Sequence, residues 1–236
     1  MRDSSDSGIA RRAGTRGVPR PIREAQILDV AGRVFAARGY HAASMDEIAA
    51  HADVTKPLIY AYFGSKERLY VAYIERAGQE MLARMRAATV PTASATERLH
   101  AGVLEFLHFV DERRDGWQGL YSEAAARGGP LTKEVASVRA EVAKMIKRLL
   151  MHSTSRGEAS AETAAALDGV AHAFVGAGES LANWWLTHPE LPAERAAELL
   201  IAVGRAGVQQ AIDTTSTQAS STPGSHALRR PATQGH

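Results

Sequence analysis

The 236-residue chain contains no cysteine. That excludes disulfides, thiolate zinc sites and a cysteine nucleophile, and it suits a reducing compartment. Charge of neither sign dominates: 28 Lys and Arg stand against 26 Asp and Glu, a formal net charge of +2. The whole chain is not a polycation, so any nucleic-acid surface must arise from local placement of charge. Long hydrophobic runs are missing as well. No apolar stretch reaches the roughly 18 residues of a membrane span. The weakly charged segment 159–186 is broken by Glu162, Asp168, His172 and Glu179 and reads as a buried helix. The first twenty residues lack the apolar region of a secretory signal. A cytoplasmic chain without a membrane partner is expected. No Gly-rich phosphate loop or G-x-S-x-G elbow is present, and no cofactor is expected.

Apolar residues make up 45% of the chain, enough for a sizeable core, and they fall at helical spacing. Ile27, Val30, Ala31, Val34 and Phe35 mark one amphipathic helix, with Gly39 where it would end. Ser44 and Glu47 stand three apart ahead of Ile48, the pattern of a capping box. A short helix there gives way to a second cap at Thr55, with Val54 placed to staple onto Ile59. Gly64 ends that helix and Ser65 caps the next. Beyond Pro91, longer helices are expected over about 95–115, 117–127, 130–152, 160–187 and 192–212. No strand pattern or repeat appears, so the fold class is all-α.

The ends read differently. Residues 213–236 form a Ser/Thr/Pro-rich tail expected to be disordered. Residues 1–20 are expected to be a disordered basic arm; over residues 1–25 six arginines meet three acids. That arm is either a solvated tail or a segment that lies along DNA.

Two short capped helices behind a longer one make a helix-turn-helix candidate. The second, "KPLIYAYF", spans about 12 Å at ~1.5 Å per residue, matching a major groove. On a helical wheel Ile59 and Phe63 fall together and point inward. Pro57, Leu58 and Ala61 lie opposite, flanked by Tyr60 and Tyr62. Thr55 and Lys56 place free N–H groups, the positive dipole end and a cation together, which suits a phosphate. Lys66 adds a further positive charge, and Ser44 offers a hydroxyl. The groove-facing set holds no Arg, Asn or Gln for bidentate base recognition. Readout is therefore expected through thymine methyls, Lys56 and DNA shape.

The run "RGYHAASMDEIAAHADVTKPLIYAYFGSKERLY" resembles the DNA-binding module of the TetR family of bacterial transcriptional regulators. The resemblance covers about residues 22–74. It implies an all-helical homodimer with an N-terminal three-helix DNA-binding domain, here 21–66, and a C-terminal ligand-binding and dimerisation bundle, here 67–212. It also implies a palindromic double-stranded operator and a small-molecule effector. DNA contacts carry over to Ser44, Thr55, Lys56, Pro57, Leu58, Tyr60, Tyr62 and Lys66. Ala61 stands where the family often has a larger side chain, so base reading there by hydrogen bonds is not expected.

The bundle carries no assignable motif of its own. Phe106, Phe109, Trp117, Tyr121, Met145, His172 and Phe174 are candidate walls of an apolar pocket, and each reads equally as core. Leu181, Trp184, Leu199, Leu200 and Val203 are candidates for a dimer interface, alongside the small residues Gly169, Ala173, Gly176 and Gly178; an intramolecular core is the other reading. Glu105 and His108 form one Glu-x-x-His pair, but a di-metal bundle needs a second. No metal site is expected, and the chain is read as a repressor rather than an enzyme. The alternative is a helical small-molecule or metal-binding protein without DNA-binding activity.

Overall fold

A computed structural model of the chain describes residues 18–117, 130–153 and 160–221. The arm at 1–17, most of the helix expected at 117–127, Tyr121 and the end of the tail lie outside the described residues. Among the described residues the structure is helical and without strands. The helices are α1 (Arg20–Ala42), α2 (Met45–His51), α3 (Lys56–Phe63), α4 (Lys66–Ala87), α5 (Ala95–Glu112), α6 (Pro130–Ser153), α7 (Ala161–Trp185) and α8 (Ala193–Ser221). None is long and apolar enough to cross a membrane.

The described residues fall into two compact units. The first holds residues up to 83 together with 109–138; the second holds 84–108 and those from 139 onward.

The core of the first unit is built by α1. Ile27, Leu28, Val30, Ala31, Val34 and Phe35 are all buried, and they share one cluster with Ile48, Ile59, Phe63, Leu69, Leu131 and Val135. Phe35 meets the Tyr70 ring edge-on at 4.8 Å, a favoured aromatic geometry. Gly39 interrupts α1 at φ 69, a left-handed setting that a Cβ disfavours. The chain can then turn into α2. Ser44 Oγ accepts from the N–H groups of both Asp46 and Glu47 at 3.1 Å. The serine half of the capping box is thus made, while the Glu47 carboxylate lies 3.4 Å from Arg38. Ser94 and Glu97 form the full reciprocal box at the start of α5, with bonds of 2.7 and 3.2 Å.

In the second unit α7 and α8 pair along their length. Leu167, Ala171, Phe174, Gly178, Ala182 and Trp185 recur at helical spacing on the buried face of α7. Gly178 lies against Leu200 of α8, where Ala196, Ala197 and Ile201 are buried as well. The approach is close enough to require glycine: a Cβ on Gly204 would lie 2.4 Å from the Phe174 ring. Arg139 of α6 grips Glu179 of α7 through two 2.7 Å hydrogen bonds.

One expectation changes. The last helix runs to Ser221, past residue 213 where composition suggested disorder. The Ser/Thr/Ala/Gln stretch contains no helix breaker before Pro223 and Gly224, and composition alone does not stop a helix already nucleated.

Gly204→Ala is expected to destabilise the chain by about 1–3 kcal/mol, the usual cost of overpacking. Thermal unfolding followed by circular dichroism checks this. The loss should shrink in a Phe174→Leu background, where the ring is gone.

Candidate nucleic-acid interface

The recognition helix is fixed by two side chains. Ile59 is fully buried and Phe63 is 8% exposed, as the wheel predicts. Val54 packs against the same cluster from the preceding turn. That turn passes through Asp53 at φ 51, a left-handed conformation that aspartate tolerates better than most side chains. Gly64, at φ 78, ends the helix, and its N–H donates to the Tyr60 carbonyl at 2.8 Å.

What these anchors leave outside is Thr55, Pro57, Tyr60 and Ala61, all exposed, with Leu58 half-buried beside them. Thr55 holds the N-cap position in extended backbone, yet its side chain makes no capping hydrogen bond. Its hydroxyl is not committed to closing the helix, in contrast to Ser44. Pro57 sits in the first turn, where a missing N–H costs little. Tyr60 is 41% exposed. Tyr62 is half-buried against the core, with the Arg20 guanidinium 5.0 Å from its ring centre. The two tyrosines are therefore not equivalent flanks: one projects, the other lies along the base of α1 with a cation over it.

Both lysines of the predicted set have partners within the chain. Lys56 Nζ donates to Asp46 Oδ2 at 2.9 Å. This hydrogen bond, with the aspartate's charge, raises the lysine's pKa. Lys66 Nζ donates to the His41 carbonyl at 3.0 Å and lies 4.7 Å from the Tyr40 ring centre, tying α4 to the end of α1. Helical spacing shows neither contact, because the partners stand 10 and 25 residues away. The Arg20 contact with Tyr62 and the Arg38 contact with Glu47 likewise join separate helices. Arg20 and Asp46 stand in the first turns of α1 and α2, whereas Arg38 lies near the far end of α1.

The bundle candidates scatter. Phe106 and Met145 are half-buried in the second unit, and Phe174 is buried against Gly204. His172 is exposed, its Nδ1 2.9 Å from the Asp168 carbonyl oxygen. Phe109 and Trp117 belong to the first unit, where the Arg113 guanidinium covers Phe109 at 4.1 Å. Tyr121 lies outside the described residues. Of the interface candidates, Leu200 is buried against Gly178 and Leu181 is half-buried. Trp184, Leu199 and Val203 are exposed, Val203 at 64%. Gly169, Ala173 and Gly176 are exposed on the outer face of α7. The Glu105 carboxylate pairs with the Arg84 guanidinium. Among the described residues no three His, Asp or Glu converge as metal ligands.

A pair of short helices behind a long one, the second with an exposed face, defines a helix-turn-helix DNA-binding protein. Residues 27–73 match the family described as bacterial regulatory proteins, tetR family, and residues 95–207 match the tetracyclin repressor-like C-terminal domain. The HTH-type transcriptional activator FasR of Mycolicibacterium smegmatis is 40% identical over 110 residues, 47% of this chain and 50% of that protein. The chain thus aligns with about half the length of that relative. The uncharacterized HTH-type transcriptional regulator YdgC of Bacillus subtilis is 30% identical over 186 residues, 74% of this chain and 87% of that one. The crystal structure of a TetR-like transcriptional regulator from Rhodococcus sp. RHA1 superposes with a TM-score of 0.63 at 34% identity, covering 81% of this chain and 98% of that one. The chain belongs to the TetR family of transcriptional regulators.

Proposed function

We propose that this regulator is a cytoplasmic repressor that binds a palindromic operator as a homodimer and leaves it when a small apolar molecule occupies the C-terminal bundle. The observation that carries the DNA-binding geometry is the division of α3. Ile59 and Phe63 are spent on the core, while Thr55, Pro57, Tyr60 and Ala61 face outward. The helix N-terminus supplies N–H groups and a positive dipole end to a phosphate. Tyr60 donates to the groove wall, and Pro57, Leu58 and Ala61 meet base edges. With no amide or guanidinium in that set, thymine methyls and DNA shape carry the sequence preference.

The homodimer reading rests on the outer face of α7 and α8. Trp184, Leu199 and Val203 are large apolar side chains left exposed, and Gly169, Ala173 and Gly176 beside them allow close helix approach. Effector release is a population shift: the ligand must prefer the DNA-incompetent conformation. α4 begins beside the recognition helix and contributes residues to both units, which makes it the proposed lever. The sense of regulation is read from transcription itself, since the relative FasR carries the name of an activator.

Operator fragments selected in vitro by the full chain provide the test. Binding should weaken steeply with salt, the log affinity falling by about 0.9 per log salt for each phosphate neutralised. Replacing operator thymines by uracil should weaken binding at contacted positions, and Ala61→Arg should change the preferred sequence while keeping affinity for DNA. Loss at no thymine would remove the methyl readout; absence of any specific site would remove the regulator geometry. In transcription reactions on the same fragment the protein should lower the yield.

Val203→Glu is expected to convert the dimer to monomers in sedimentation velocity. An unchanged dimer places the interface elsewhere.

A further inference from the structure

Lys56, the cation at the start of α3, already holds an anion. Its Nζ lies 2.9 Å from Asp46 Oδ2, and the two side chains are 43% and 72% exposed. Asp46 is itself set in place by α2, since its backbone N–H donates to Ser44 Oγ. The pair bridges the first turns of α2 and α3, so the aspartate occupies the cation that would otherwise draw a phosphate. The carboxylate keeps Lys56 firmly protonated.

Binding to DNA at large is driven by neutralising phosphates. A lysine that carries its own counter-ion adds nothing to that drive until the pair parts. We propose that Asp46 is a specificity-determining residue: it withholds Lys56 from the phosphates of arbitrary DNA and yields it only where base contacts draw α3 into the groove. On a non-cognate sequence the helix gains too little from Pro57, Leu58 and Ala61 to part the pair. On the operator those contacts bring the phosphate close enough to replace the carboxylate. The proposal rests on the DNA-docked geometry of α3 argued above.

The experiment measures binding by fluorescence anisotropy across a salt series. The two probes are a duplex of shuffled sequence and the operator selected by the wild-type chain. Asp46→Asn should bind the shuffled duplex about two- to fivefold more tightly for each bound copy, the equilibrium equivalent of an exposed ion pair. Its salt dependence on that duplex should steepen by about 0.9 for each phosphate newly neutralised. The operator should gain less, so the ratio of specific to non-specific affinity falls. Asp46→Glu should restore wild-type behaviour, which a merely structural role at the cap would not require. In the Asp46→Asn/Lys56→Met double variant the gain should vanish. Unchanged shuffled-duplex binding, equal gains on both duplexes, or a gain that survives without Lys56 would each overturn the proposal. So would loss of all DNA binding in an Asp46→Asn protein that melts like the wild type. A wild-type chain that binds neither duplex overturns the docked geometry itself, a result distinct from the others.

Discussion

Burial of Ile59 and Phe63 sets the rotation of α3 about its own axis, and the DNA-facing surface follows from that rotation. Each such side chain contributes about 1.5–3 kcal/mol on burial. Residues 59 and 63 stand one turn apart and go inward, so Pro57 and Ala61 must face out. The cluster that receives them is built largely by α1 and α4, where Phe35, Tyr40 and Tyr70 pack together. A slip of one residue in α3 would bury a tyrosine hydroxyl or expose a phenylalanine, and either is costly.

The outward surface divides its labour unevenly. Its middle is apolar and small, its cations are at the ends, and both lysines are bonded within the chain. Lys66 secures the kink after Gly39 to the start of α4. Lys56 is held by a neighbouring side chain on an exposed surface, which is the kind of bond a phosphate can replace. Tyr62, under Arg20, belongs more to the join of α1 and α3 than to the free surface.

The helix-turn-helix was readable in the sequence because its instructions are local. Ser44, Gly39 and Gly64 act on their own turns, and the wheel positions of Ile59 and Phe63 need no knowledge of the rest of the chain. Thr55 shows the limit of that reading: it occupies the cap position without making the cap bond. The ion pair at Asp46 and the cation over Tyr62 join residues far apart in sequence, and spacing within one helix cannot reveal them. On α7 the sequence showed large and small residues interleaved but could not assign faces. The fold sends Phe174 and Gly178 inward against α8 and leaves Gly169, Ala173 and Gly176 outside. Part of that segment is therefore core, and part is exposed. At the far end of α8 polar composition does not stop the helix, and no breaker stands before Pro223.

The most direct measurement of the central claim is a crystal structure of the full chain on its selected operator. The account predicts α3 in the major groove, Pro57 and Ala61 in van der Waals contact with thymine methyls, and Lys56 moved from Asp46 to a phosphate. A bound state in which α3 stands clear of the groove, or in which polar side chains of another helix read the bases, would contradict it.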